Sequence, residues 1–138
     1  MAVRWKNSTS CNIKEIDNQH KTLFEISSKL NILEPICTQI DFKDEILEVI
    51  DQLKDYCIYH FKYEESLMQK YHYPDYEEHR IAHKAFIKKV LDLENGEVNF
   101  SSPESIRHII DFINGWIMAH ILKTDMKYKD FFNNLGIE

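Results

Sequence analysis

The chain has 138 residues and a mass of 16.5 kDa, and 43% of its residues are hydrophobic, which is enough for one domain with one core. The formal net charge of −6 and the pI of about 5.6 argue against nucleic acid or anionic lipid as a partner, since both attract basic surfaces. The sequence shows neither an apolar signal segment nor an apolar run near the roughly 20 residues that cross a bilayer. We therefore expect a cytoplasmic protein with no membrane partner.

The chain has few helix-breaking residues, with three glycines and three prolines, and its apolar residues recur at steps of three and four. This pattern predicts an all-α fold with four long helices. The first helix is expected to begin after Asp17, a good N-cap, and to run to about Leu33, where Glu34-Pro35 stops it. The second is expected to span about 41–70.

The third helix is predicted to follow Tyr73-Pro74-Asp75 and to end near Asn95-Gly96. The fourth begins with Ser102 as its cap and Pro103 at its first position. Because every connection is short, neighbouring helices should be antiparallel, which gives an up-down-up-down four-helix bundle. We expect a single domain over 1–138, with an N-terminal arm (1–16) held by Trp5, the bundle (17–128) and a short C-terminal helical segment (129–138).

Polar residues interrupt the apolar stripe of each predicted helix. On the second helix, His60 and Glu64 continue a seam of apolar residues with spacing 4,3,4,3,4,3 that starts at Ile46. On the third helix His79 and His83 lie on a similar seam. His20 on the first helix and His120 on the fourth also face inward, so every helix brings a histidine to the core.

Such a set of buried polar groups needs compensation, because burial of unpaired imidazoles and carboxylates costs several kcal/mol. The pairs His60/Glu64 and His79/His83 are four residues apart, which places two metal ligands one turn apart on one helix face. His120 and Asp125 are five residues apart, and a regular helix would rotate them away from each other. A π-bulge near 120–125 would return Asp125 to the seam, and we predict one there.

Seven inward ligands exceed what one metal ion holds, so the sequence indicates two ions. Imidazole and carboxylate without thiolate suit iron, manganese, zinc or copper. The chain has three cysteines, Cys11, Cys37 and Cys57, an odd number without CxxC spacing. All three are expected to be reduced thiols, and Cys57 is expected to lie in the core. His72 and His108 are expected to be exposed. If both ions are six-coordinate, the ligands plus a shared oxo or hydroxo group leave one position open.

The predicted ligands lie in four segments, which are IDNQHKTLF at 16–24, HFKYEE at 60–65, HRIAH at 79–83 and WIMAHI at 116–121 followed by Asp125. These segments closely resemble those of hemerythrins. The length and Trp5 look like the bacterial single-domain form. The resemblance implies two iron ions, Fe2+ or Fe3+, joined by a bridging oxo or hydroxo group. It assigns His79, His83 and His120 to one iron, His20 and His60 to the other, and Glu64 and Asp125 as bridges.

By the same resemblance, the protein is expected to bind O2 reversibly as an oxygen carrier, storage or delivery protein rather than as an enzyme. O2 would be held as hydroperoxide on the two-histidine iron, with its proton coming from the bridging hydroxide. Five residues are expected to line the O2 pocket and to exclude water and small anions, which otherwise leave an inactive diferric form: Leu23, Phe61, Trp116, Ile117 and Ile121.

Two other functions remain open at this stage. One is a diiron redox enzyme that reduces peroxide or nitric oxide or oxidises ferrous iron, and the other is a sensor of O2, iron or redox state. We expect a monomer, with Phe131, Phe132 and Leu135 covering the end of the bundle. An O2-consuming enzyme is a possible recipient of the bound O2.

Overall fold

The computed structural model describes residues 5–33, 43–95 and 103–138, and within these ranges it contains helices and turns but no strand. The five α-helices are α1 (Lys14–Leu33), α2 (Lys43–Lys70), α3 (Tyr76–Glu94), α4 (Pro103–Ala119) and α5 (Lys129–Asn134). The first four form the bundle, with α1 packed against α2 and α4, and α2 packed against α3. The predicted all-α four-helix bundle is confirmed.

The first helix begins earlier than predicted, at Lys14, so Asp17 lies in its first turn and is not its N-cap. The Asp17 carboxylate instead accepts hydrogen bonds from the Cys11 backbone N–H at 3.0 Å and from the Ser10 hydroxyl. It therefore stabilises the turn that leads into the helix. The predicted boundary signals Glu34-Pro35, Gly96 and Ser102 lie outside the described residues, as does the predicted start of the second helix at about 41.

The two ends of the chain pack on the bundle in different ways. In the arm, Trp5 packs against the main core, and the Lys21 ammonium lies 4.3 Å from the centre of its ring. At the C-terminus Phe132 is fully buried and Phe131 is half-buried, whereas Leu135 is 53% exposed. Phe131 and Phe132 thus cover the bundle end as expected, and Leu135 does not.

The remaining cysteines and histidines agree with the sequence analysis where the structure describes them. Cys11 and Cys57 are buried free thiols, and burial raises the pKa of each. Cys37 lies outside the described residues. His72 and His108 are exposed. None of the helices that the structure describes combines the length and the apolarity needed to cross a membrane.

Candidate metal centre

A polar layer divides the interior of the bundle into two apolar clusters. The larger cluster contains Leu23, Phe61, Phe86 and Ile117, and the smaller one contains residues of α5 and of the helix ends near it. The predicted ligand residues lie at the junction of the two clusters; on α1, for example, His20 lies between Ile16 of the smaller cluster and Leu23 of the larger one. Polar residues therefore replace apolar ones at the same height of the bundle in α1, α2, α3 and the turns after α4.

All seven side chains predicted as ligands lie in this layer, and none is more than 5% exposed. They come from three helices and the two turns that follow α4: His20 from α1, His60 and Glu64 from α2, His79 and His83 from α3, His120 from the first turn and Asp125 from the second. Buried side chains of this kind are ordinarily paired or bound to a metal.

The predicted π-bulge is confirmed. A π-helical turn spans His120–Thr124 at the end of α4, and a short 3-10 turn, Asp125–Tyr128, follows it. The extra residue in the turn leaves Thr124 only half-buried and makes Asp125 fully buried. The backbone irregularity therefore places the carboxylate on the same face as His120, which a regular helix would not do.

The ligand atoms form two groups that share both carboxylates. One group contains Glu64, His79, His83, His120 and Asp125, and the other contains His20, His60, Glu64 and Asp125. Within each group the ligand atoms lie within 4.8 Å of one another. Two groups that share two carboxylates are the arrangement expected for two adjacent ions with bridging ligands.

Two of the close pairs within these groups fit ligation better than hydrogen bonding. The His60 Nε2 atom lies 2.8 Å from Glu64 Oε1, yet neither atom has a hydrogen-bond partner among the described residues. The same holds for His79 Nε2 and Asp125 Oδ1, which are 2.9 Å apart. Metal bonds of about 2.1 Å at right angles place two ligand atoms about 3 Å apart, so ions would satisfy these orphaned atoms.

The surroundings of Asp125 and His83 favour the protonation states that metal ligands need. Burial opposes ionisation of Asp125, but His120, His20 and His79 around it hold the pKa of its carboxyl well below its usual range. Burial, reinforced by His120 and His79, lowers the pKa of His83 to about 3 against the opposing charge of Glu64. A carboxylate and a neutral imidazole are the forms that bind divalent and trivalent metals.

Three further residues hold the ligands in place, and the sequence analysis did not identify them. Gln19 Oε1 accepts a hydrogen bond from His60 Nδ1 at 2.7 Å, and the Glu65 carboxylate accepts one from His83 Nδ1 at 2.9 Å. The Tyr128 hydroxyl donates to Glu64 Oε2 at 2.6 Å. Such contacts fix the tautomer and orientation of metal ligands. Gln19 and Glu65 adjoin predicted ligands in sequence, but adjacency alone did not show which ring each one contacts.

The residues expected to line an O2 pocket lie beside the layer. Leu23, Phe61, Ile117 and Ile121 are buried and Trp116 is half-buried, all in or against the larger apolar cluster. The Phe61 ring stacks on the ring of His83 with centroids 3.8 Å apart, and the Trp116 ring stacks on that of His120 at 4.5 Å. The side of the layer that faces the larger cluster is therefore walled by apolar side chains.

Comparison with known proteins decides the family. The sequence model of the Hemerythrin HHE cation binding domain matches residues 11–132. The chain belongs to the hemerythrin family. A bacteriohemerythrin of Clostridium acetobutylicum is 35% identical to this hemerythrin-family chain over 126 residues, which are 91% of this chain and 98% of that protein. A bacteriohemerythrin of Methylococcus capsulatus is 32% identical over 117 residues, which are 85% of this chain and 86% of that one.

The fold comparison agrees with the sequence comparison. A crystal structure of wild-type hemerythrin matches this member of the hemerythrin family with a TM-score of 0.76 and 30% sequence identity, and it covers 94% of this chain and 97% of that chain. The predicted resemblance and the predicted fold are thereby confirmed. The chain carries a buried histidine and carboxylate cluster suited to metal within a hemerythrin fold.

Proposed function

We propose that the protein binds O2 reversibly at a centre of two iron ions and acts as an oxygen carrier, storage or delivery protein. In this proposal one iron would be held by His79, His83 and His120, and the other by His20 and His60. The two irons would be bridged by Glu64 and Asp125. The observation that carries the proposal is the pair of buried ligand groups, unequal by one histidine, that share both carboxylates.

The inequality of the two groups supports binding of an external ligand. With equal coordination numbers and shared bridges, the ion with fewer histidines has one position left for a ligand from outside the protein. The iron pair, when bound, supplies the two electrons that capture O2 and regains them when O2 leaves. Small anions are expected to compete for the same position.

The chain's own residues favour reversibility. Leu23, Phe61 and Ile117 form an apolar wall beside the ligand layer and so exclude water and anions from it. Within the layer, Gln19 accepts a hydrogen bond from His60 Nδ1, and Glu65 accepts one from His83 Nδ1. These bonds turn the Nε2 atom of each ring toward the centre. The Tyr128 hydroxyl donates to Glu64 Oε2 and so fixes the orientation of that carboxylate.

Several features of the proposal concern the whole protein. We propose a single hemerythrin-like domain over 1–138, a monomeric state, since the ligand set is complete within one chain, and a cytoplasmic location. An O2-consuming enzyme is the proposed recipient of the O2.

An oxygen-electrode titration of the anaerobic, iron-loaded protein tests the proposal. We expect about one O2 taken up per two irons and its return to solution under argon. Irreversible uptake, together with sustained consumption of peroxide or nitric oxide in the presence of a reductant, would instead support the redox enzyme. His60→Ala should reduce both iron content and O2 uptake, whereas His108→Ala, which changes an exposed histidine, should alter neither.

A further inference from the structure

A surface groove of about 320 Å³ lies between α2 and α3. Its floor is apolar and includes Phe61 and Ile87, and its edges include the exposed apolar side chains Ile58 and Leu91, which are 39% and 41% exposed. An apolar centre with a charged edge is the usual composition of a site for another protein. The groove is open and shallow, which suits a protein surface better than an enclosed small molecule.

The groove reaches the metal centre through a ligand. His83, one of the seven ligand residues, forms part of the floor, and its ring stacks on that of Phe61 with an interplanar angle of 4°. The Glu65 carboxylate, whose side chain is 24% exposed, accepts the hydrogen bond from His83 Nδ1. The Glu65 side chain and its hydrogen bond from His83 therefore connect solvent in the groove to the proposed three-histidine iron.

The groove is also positively charged in a chain that is negative overall. Three lysines and one glutamate line it. Lys88 pairs with Asp92 at 3.2 Å, but Lys62 and Lys84 are exposed and have no ion-pair partner among the described residues. The groove between α1 and α2 differs, since Glu25 and Asp55 outnumber Lys29 there. The α2–α3 groove thus combines free positive charge, exposed apolar surface and contact with a ligand.

We propose that the α2–α3 groove docks an acidic one-electron carrier protein that reduces the oxidised, diferric centre back to its diferrous form. The proposal rests on the proposed function, because a carrier that loses bound O2 as an oxidised species becomes inactive until it is reduced. Two carrier molecules each lose one electron, each ferric ion gains one, and one proton from solvent goes to the bridging oxygen. The Glu65–His83 pair marks the point of electron entry.

The test uses flavodoxin, an acidic one-electron carrier, as the probe. The variant Lys62→Glu/Lys84→Glu reverses the two free charges, and Lys14→Glu/Lys89→Glu makes the same change in charge at exposed lysines outside the groove. Binding of oxidised flavodoxin to the diferric protein is measured by calorimetry at low and high salt. Reduction by flavodoxin hydroquinone, and separately by dithionite, is followed by stopped flow.

We expect the groove variant to weaken binding and to slow reduction by flavodoxin by about tenfold or more at low salt, with the difference reduced at high salt. The control variant should stay within about twofold of the wild type, and dithionite should reduce all three proteins at similar rates. Equal effects of both variants, or no effect of the groove variant, would overturn the proposal. So would self-association of the wild type that the groove variant abolishes, since that result assigns the groove to a second copy of the chain.

These outcomes are independent of O2 binding. If the groove variant and the control variant affect flavodoxin equally while the protein still binds O2 reversibly, only the docking proposal is refuted. Specific flavodoxin binding in a protein that does not bind O2 reversibly refutes the proposed function instead.

Discussion

At the scale of single residues, the buried histidines and carboxylates of the polar layer could be predicted from the sequence, and the residues that hydrogen-bond to them could not. His60 and Glu64 stand out because polar residues at core positions of a helix seam need an explanation. Gln19 and Tyr128 give no such signal, because each depends on a contact between helices. The Tyr128 hydroxyl reaches Glu64 from 64 positions away in the chain.

The Tyr128–Glu64 hydrogen bond leads to a prediction for Tyr128→Phe. Burial, together with the charges of Asp125 and Glu64, keeps the pKa of Tyr128 well above its usual value, so its hydroxyl remains a donor. Removal of the donor leaves a buried carboxylate oxygen unsatisfied, and we expect a loss of about 2 kcal/mol in the free energy of unfolding. Urea denaturation of the iron-free protein measures it.

The control for this change is Tyr73→Phe, which removes a hydroxyl from a neighbouring buried tyrosine whose ring contacts Tyr128. That hydroxyl has no hydrogen-bond partner in the described part of the chain, so we expect a smaller loss. Equal losses for the two variants would show that the bond to Glu64 adds nothing to stability.

The apolar wall leads to a second prediction at this scale, for Leu23→Ala. Leu23 is 2% exposed and lies one turn from His20, so its truncation opens space for water beside the ligand layer. We expect iron content to stay at two per chain while the oxygenated form oxidises irreversibly several times faster. The decay of its visible absorption measures this rate, and an unchanged lifetime would remove Leu23 from the proposed pocket.

At the scale of elements, periodicity predicted which face of each helix is buried but not every boundary. The α2 seam is buried from Ile46 to Glu64, but beyond Glu64 the buried residue is Met68 and not the predicted Leu67, which is half-buried. The predicted start of α1 was wrong because the Asp17 side chain bonds the preceding turn and not the helix end. Capping preferences act on single residues, and a side-chain hydrogen bond to a nearby turn can override them.

The π-helical turn leads to a prediction for exchange of two neighbouring residues, Thr124→Asp/Asp125→Thr. In a regular helix a carboxylate at position 124 would lie on the seam, but the turn directs Asp125 inward and leaves position 124 half-buried. The exchanged protein should therefore bind at most one iron per chain instead of two, as measured by metal analysis.

Thr124→Ala is the matched control for the exchange, because it changes position 124 and keeps the carboxylate at 125. It should retain both irons. Full iron content in the exchanged protein would mean that the helix rearranges to a regular four-residue spacing.

At the scale of the whole molecule, the four-helix bundle was predictable because the composition, the spacing of apolar residues and the short connections all indicate a bundle. What could not be predicted is the division of its interior into two apolar clusters by a charged layer. We expect metal binding to stabilise this layer, because ions would compensate buried polar atoms that have no hydrogen-bond partner among the described residues.

The pKa shifts predict that the iron-free protein is most stable near pH 6.5. The pKa of His83 falls to about 3 on folding, so stability is lost as pH decreases below the usual histidine value of about 6.5. Burial lowers the pKa values of His20 and His120, but the hydrogen bond and charge of Asp125 raise both above that value overall. Their contribution is present below pH 6.5 and is lost as pH rises through the folded-state pKa values.

Thermal unfolding of the iron-free protein between pH 4 and pH 9 measures this profile. We expect a midpoint temperature that passes through a maximum, and a monotonic rise or fall would contradict the assignment of opposite shifts. Iron-loaded protein should not lose stability just above pH 6.5, since the metal requires neutral imidazoles.

Reversible O2 binding is tested most directly by the absorption spectrum of the iron-loaded protein through one cycle of anaerobic buffer, air and argon. With two irons per chain, we expect a visible charge-transfer band that appears in air and disappears under argon over repeated cycles. Immediate and permanent conversion to a diferric spectrum, with no band that responds to argon, would contradict it.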